Sequence, residues 1–163
     1  MGFQLRQATP EDAEALVLMH TQAHEECYAH LLPPEFFAAR RASLPERIEK
    51  RRPYLDTTEP RIIALDEEGQ IVGLADSGSG RDPDKADELE LYSIYTLSST
   101  YGSGLGRSLL EAAIGDDPAC LWVFENNPRA RAFYEKNGFR PDGVSKVTGP
   151  GWGNQPELRM VRD

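Results

Sequence analysis

The sequence predicts a mixed α/β fold, a sheet with helices on both faces, and three observations carry that prediction. From about residue 90 to 137 the pattern alternates strand, loop, helix, strand, helix; a short hairpin pattern precedes it; and a helical apolar stripe lies near the start. Strands alternating with helices place the helices as crossovers against a sheet.

Taken in order, Phe3 to Gln7 alternates as a first strand. Thr9-Pro10-Glu11-Asp12 is a helix start, with a Thr cap, Pro in the first helical position and acids in the first turn. Ala13, Leu16, Val17, His20, Ala23 and Cys27 then recur on one helical face. Pro33-Pro34 ends that helix, and a second, rich in Arg, Lys and Glu, runs to about Arg51. Arg61–Leu65 and Ile71–Ala75 form a hairpin around Asp66-Glu67-Glu68-Gly69. Ser77 to Asp87, rich in Gly and Asp, predicts a mobile loop. A strand over 90–97, a glycine loop, a helix over 106–115, a strand over 120–125 and a helix over 128–137 follow. Asn127 caps the last helix, Pro128 opens it and Gly138 stops it. Gly143–Val147 and Glu157–Val161 close the chain as a hairpin around GPGWGN, read as a plain turn or as a loop reaching a bound ligand or a dimer partner.

A length of 163 residues gives a single domain over 1–163, large enough to bury most of its unfolded surface. At 39% hydrophobic and 28% charged residues the composition is that of an ordinary globular protein, with no run approaching a membrane span. MGFQLRQATPED lacks a charged leader and an apolar core, so a cytoplasmic location is expected, and Cys27 and Cys120 read as buried reduced thiols. A net charge of −9 argues against nucleic acid and anionic membranes as partners. It suits either a cationic amine drawn to an acidic cleft or solubility alone.

The densest signal is YGSGLGRSLL, residues 101–110, where glycines alternate just before an apolar helix pattern. Glycine allows positive φ and close backbone approach, and a helix N-terminus presents free N–H groups to an anion. A Walker A loop would need Gly-Lys-Ser/Thr, whereas Gly106 is followed by Arg107 and Ser108. A dinucleotide fingerprint would need a glycine where Arg107 stands, within an early βαβ unit. Both are rejected, leaving a phosphate-bearing ligand or an empty surface turn.

A second motif decides between these. Asn127, Ala130, Phe133-Tyr134 and Gly138-Phe139 follow the glycine loop in LWVFENNPRARAFYEKNGF, and with Tyr101-Gly102-Ser103-Gly104-Leu105-Gly106 the chain resembles the GNAT superfamily of N-acetyltransferases. The resemblance is detailed over about residues 88–140, and Tyr101 departs from it, because the family's loop opens on Arg or Gln. It implies a mostly antiparallel sheet of about six to seven strands, with a splayed central pair, and acetyl-CoA as cosubstrate without a metal. It implies further that Ile94, Tyr95 and Thr96 bind the pantetheine arm and that Gly102, Ser103, Gly104, Leu105, Gly106 and Arg107 hold the pyrophosphate. Asn127 would reach the same arm; a plain helix cap is the other reading, and one residue can do both.

Acyl transfer to an amine needs a proton removed, since an alkylammonium has a pKa of ~10, and benefits from a donor to the departing thiolate. Tyr134 stands at the position of the family's general acid, with core packing beside Phe133 as the alternative. Glu90 lies eleven residues before Tyr101, the spacing of the catalytic glutamate in the histone acetyltransferase branch. Strand alternation places it on one face with Tyr92, Ile94 and Thr96, unless a bulge shifts the parity. Glu88, a water chain, or solvated strand-entry charges are the alternatives. Trp122 fills the position another branch uses for its base.

His20, His24 and His30 lack the glutamate of HExxH and are read as helix surface or acceptor-site lining, not as metal ligands. Tyr28, Leu31, Phe36 and Phe37 are read first as core between two helices and second as acceptor-pocket wall. The expected activity is acetyl transfer from acetyl-CoA to a small-molecule or peptide amine: a polyamine, an amino acid, an aminoglycoside-like compound or a protein N-terminus. A non-catalytic acyl-CoA sensor of the same fold is the alternative, and a homodimer is left open.

Overall fold

A computed structural model describes residues 2–163. Its strands are β1 (Gln4–Gln7), β2 (Arg61–Leu65), β3 (Ile71–Ser79), β4 (Leu89–Thr96), β5 (Ala119–Phe124), β6 (Arg140–Val147) and β7 (Pro156–Arg162). They form a seven-stranded sheet in the order β1-β2-β3-β4-β5-β7-β6, antiparallel throughout except for the parallel pair β4–β5. Helices α1 (Ala13–Tyr28), α2 (Pro34–Ala42) and α3 (Leu44–Leu55) precede the second strand, and α4 (Leu105–Ile114) and α5 (Pro128–Lys136) flank β5 in sequence. Leu109, Leu110, Leu121, Phe139 and Met160 build the core around α4 and α5. Leu16, Met19, Leu55, Ile63 and Leu74 build a second core beneath α1 and α3. The mixed sheet with helices on both faces is therefore present.

Two expectations need correction. The segment read as one helix to Arg51 is two, because Pro45 has no N–H to continue the ladder and the chain breaks at Ser43 (φ −91°, ψ 7°). The loop expected from Ser77 to Asp87 is shorter and anchored: β3 continues through Ser79, and the Gly80 amide donates to the Glu88 carbonyl at 2.8 Å. Buried Arg159 bonds Asp84 at 2.7 Å, Asp142 at 2.7 Å and Asp82 at 3.2 Å, and the Trp122 indole donates to Asp82 at 2.9 Å. Those aspartates pattern like solvated loop residues, yet their partner lies on β7, far along the chain. Among the described residues, no helix is long and apolar enough to cross a membrane.

The feature that positions the site is the short pairing of β4 with β5. Only Leu89↔Ala119, Glu90↔Cys120 and Leu91↔Leu121 are matched, after which the two strands diverge. The β3–β4 register shifts at Asp76/Ser77, leaving Tyr92 as the extra residue of a bulge, and bulges bend and twist a strand. Helix α4 holds the other side of the gap. Its Leu105, Leu109, Leu110, Ala113 and Ile114 are buried, and it lies so close to β3 that a Cβ on Gly73 would sit 2.8 Å from Leu109 Cδ1. Leu109→Ala is expected to cost about 2–5 kcal/mol, seen as a lower urea midpoint at unchanged slope.

Candidate active site

The glycine loop enters α4 through Gly102 (φ 80°) and Gly104 (φ 87°), both in the left-handed region that L side chains rarely adopt. The Ser103 hydroxyl donates to the Thr100 carbonyl at 2.5 Å and accepts from the Leu105 amide at 3.3 Å, which fixes the turn from within. Among the described residues, the amides of Gly102, Gly104, Gly106 and Arg107 have no hydrogen-bond partner. Four free N–H groups at the positive end of a helix fit a phosphate or diphosphate.

These amides open into a cleft of about 1060 Å³ that runs between the diverging edges of β4 and β5. Backbone N–H and C=O groups on such edges require partners, and an extended chain bearing amides supplies them. Of the residues singled out in the sequence, Ile94, Tyr95, Thr96, Gly102, Gly104, Leu105, Gly106, Arg107, Asn127 and Tyr134 all line this cleft. Ser103 does not; it braces the loop. Asn127 also caps α5, its Oδ1 accepting from the Ala130 amide at 3.2 Å, so it combines a cap with a place on the cleft wall.

Glu90 is elsewhere. The bulge at Tyr92 flips the strand's parity, so Leu89, Leu91 and Ile94 share one core, and Glu90 falls on the opposite face with Ser93 and Tyr95. Its side chain is 1% exposed and does not line the cleft. Arg81 holds both oxygens, through its guanidinium at 2.6 Å and its amide at 2.8 Å. Glu88 is paired with Lys85 at 2.9 Å. Neither carboxylate lines the cleft.

A carboxylate that does line the cleft is Glu157 on β7, which the sequence reading passed over. It stands opposite Phe124 on β5 and Lys146 on β6, with the lysine ammonium 4.0 Å away. Burial raises its carboxyl pKa above the ordinary value, with Lys146 pulling the other way. Around it Tyr28, Tyr95, Phe124 and Trp152 form an aromatic wall, with the Tyr28 and Tyr95 hydroxyls 2.8 Å apart. The GPGWGN loop is thus more than a turn, since its Trp152 closes this end of the cleft. Tyr28 lines it too, while Phe36 and Phe37 pack behind Trp152.

Tyr134 lies between Phe133 and Phe139, and its hydroxyl borders the cleft without a hydrogen bond to the described residues. Burial raises its pKa well above that of a free phenol, so the hydroxyl stays protonated at neutral pH.

The cleft inverts the charge of the whole molecule. The chain carries −9, yet the cleft is lined by Arg81, Arg107, Arg129, Lys136 and Lys146 against Glu26 and Glu157 alone. Of the two readings of the net charge, the acidic cleft is not what the described residues form. Arg129, in the first turn of α5, stacks on Tyr101 with its guanidinium carbon 3.2 Å from the ring centroid and has no ion-pair partner among the described residues. The irregular position of the glycine motif therefore holds an arginine supplied from another helix.

A family model described as acetyltransferase (GNAT) family matches residues 22–139, and the chain belongs to that family. An uncharacterized N-acetyltransferase of Bacillus subtilis (strain 168), YuaI, is 27% identical, covering 97% of this chain and 95% of its own length. Among solved structures, the PaiA N-acetyltransferase of Thermoplasma acidophilum in complex with coenzyme A matches with a TM-score of 0.70 at 20% identity, covering 100% of this chain and 99% of that one. A phosphinothricin acetyltransferase of Sinorhizobium meliloti in complex with AcCoA matches with a TM-score of 0.71 at 22% identity, covering 99% and 88%.

With CoA as the diphosphate-bearing probe, Arg129→Ala is expected to weaken binding about tenfold or more by calorimetry, the loss of one charge-assisted contact of roughly 1.5–3 kcal/mol. An unchanged affinity would remove Arg129 from the phosphate site.

Proposed function

We propose that the protein transfers an acetyl group from acetyl-CoA to an amine. The observation that carries this reading is the continuity of one cleft, from the unpaired amides of Gly102, Gly104, Gly106 and Arg107, along the open edge of β4, to Glu157 and Tyr134. The diphosphate lies on the glycine-loop amides, and the pantetheine arm follows Ile94, Tyr95 and Thr96 as an added strand. Asn127 offers its amide group to the same arm. The acyl thioester supplies the activated carbonyl; the residues of this chain position it and move protons.

Glu157 takes a proton from the acceptor ammonium, and the freed amine forms the C–N bond as the C–S bond breaks. Backbone N–H groups along the splayed edge stabilise the oxyanion that develops. Tyr134, held protonated at neutral pH by burial, gives its proton to the departing thiolate and regains one from the acylated nitrogen, which sheds its second proton as it becomes the amide. Glu157 replaces Glu90 as base here because it borders the cleft, whereas Arg81 covers Glu90.

Two outcomes test the assignment through CoA release over an amine panel. Tyr134→Phe is expected to lower kcat by on the order of 10²-fold with acetyl-CoA affinity kept, and unchanged turnover for every acceptor would remove the acid role. Glu157 acts as its carboxylate, so activity falls as pH drops through its raised pKa. That limb should lie above the ~4.3 of a free glutamate and vanish, with most of the rate, in Glu157→Gln. A limb that persists in the variant would show that another group titrates.

A further inference from the structure

Beside the aromatic end of the cleft lies a cluster of cations that the reaction above does not use. Arg40 on α2 and Arg47 on α3 are both half-buried, and neither has a carboxylate partner among the described residues. Among the described residues the Arg40 side chain makes no hydrogen bond, and its Nε is buried without one. Arg47 reaches only the Thr21 hydroxyl, at 2.8 Å, and the Arg40 carbonyl, at 3.3 Å. The acids around them are already engaged: Asp76 with Arg51 at 2.8 Å, Glu25 with Arg41 at 2.6 Å, Glu46 with Lys50 at 2.7 Å and Glu49 with Arg52 at 3.2 Å.

Two histidines complete the cluster. His24 is 1% exposed, and both of its ring nitrogens lack a partner; His20 Nε2 lacks one as well. The rings stand 4.2 Å apart, and each packs on Tyr95, at 4.8 Å and 4.6 Å. Burial pushes both imidazoles well below their ordinary pKa, and Arg40 and Arg47 push the same way. Burial lowers Arg47 to about 10, with Arg40 adding to it. Two guanidinium groups thus stand beside two buried imidazoles with no anion of their own among the described residues.

Stacking of Arg40 over Trp152, 5.1 Å from its guanidinium carbon, and over Phe36, at 5.7 Å, offsets part of its desolvation but satisfies none of its N–H donors. Unpaired buried charge is costly, and a planar guanidinium recognises oxyanions through two parallel hydrogen bonds. The cluster adjoins the cleft across Trp152 and Tyr95, which both line it.

We propose that Arg40 and Arg47, with His20 and His24 beside them, receive an anionic oxygen group of the acceptor, so that the amine acetylated here also bears a carboxylate or phosphonate. This inference rests on the acetyl-transfer reading for its amine and on the cation cluster for its acid. It selects amino-acid-like amines over polyamines and aminoglycoside-like compounds. Glu157 then meets the ammonium at one end of the acceptor, and the two arginines hold the oxyanion at the other.

Two measurements on the full chain test it. The first is a thermal shift with CoA present, comparing a panel of N-acetyl amino acids and N-acetylaminoalkyl phosphonates with the matched N-acetylamines that lack the acid. This arm needs no turnover. Shifts confined to the acidic compounds support the proposal, and the member that shifts most names the oxyanion. Equal shifts with and without the acid, or none with any acidic compound, overturn it. The second is the ratio of kcat/KM for each amino acid to that of its decarboxylated amine. The ratio should be at least tenfold in favour of the acid, collapse toward one in Arg47→Met and recover in part in Arg47→Lys. A ratio near one in the unaltered protein, or one that Arg47→Met leaves in place, contradicts it. Failure of acetyl transfer itself is distinct: no amine would release CoA, while the thermal-shift arm would still decide the anion site.

Discussion

Everything in the site depends on β4 and β5 parting after three residue pairs. A parallel pair that stayed matched would satisfy its own backbone groups and leave no gap for an extended ligand. The bulge at Tyr92 begins the departure, and α4, packed tightly over Gly73, keeps the glycine loop at its mouth. The antiparallel pairing of β5 with β7 then carries Glu157 to the same cleft. One interruption in a sheet thus creates the ligand groove, aims the helix N-terminus and sets the distance to the far carboxylate.

Charge is arranged in layers around that groove. The chain as a whole carries −9, the cleft is lined mainly by cations, and behind its aromatic wall sit guanidinium groups with no carboxylate of their own among the described residues. Such a gradient steers anionic ligands inward while one acid, Glu157, stays in place to meet an ammonium. Arg159 and its three aspartates form a separate unit that ties the segment after β3 to the far edge of the sheet, so the cleft's walls are fixed from both sides.

Much of this was legible in the sequence, for identifiable reasons. Glycines before an apolar helix pattern report a backbone requirement, and Asn127 to Phe139 is a local pattern with its own cap and stop, so the loop, α4, β5 and α5 fell within a residue or two of their places. What eluded the sequence is long-range pairing. The parity of Glu90 turns on a bulge that no residue announces, and the segment Ser77 to Asp87 patterns as a mobile loop because Arg159, which anchors Asp82 and Asp84, is distant in the chain. Glu157 became visible only through its register with Phe124 and Lys146. Arg129 was missed although Tyr101 marked the place where its stacking compensates. Ser43 ended a helix for a reason the sequence did contain, the missing N–H of Pro45.

The most direct test of the central claim is backbone amide NMR during titration with CoA. The account predicts that the largest shifts and the strongest exchange protection fall on Gly102, Gly104, Gly106 and Arg107 and along β4 from Tyr92 to Thr96, with β1 and β2 unmoved. Perturbations that miss the glycine loop, or that spare the open edge of β4, would contradict it.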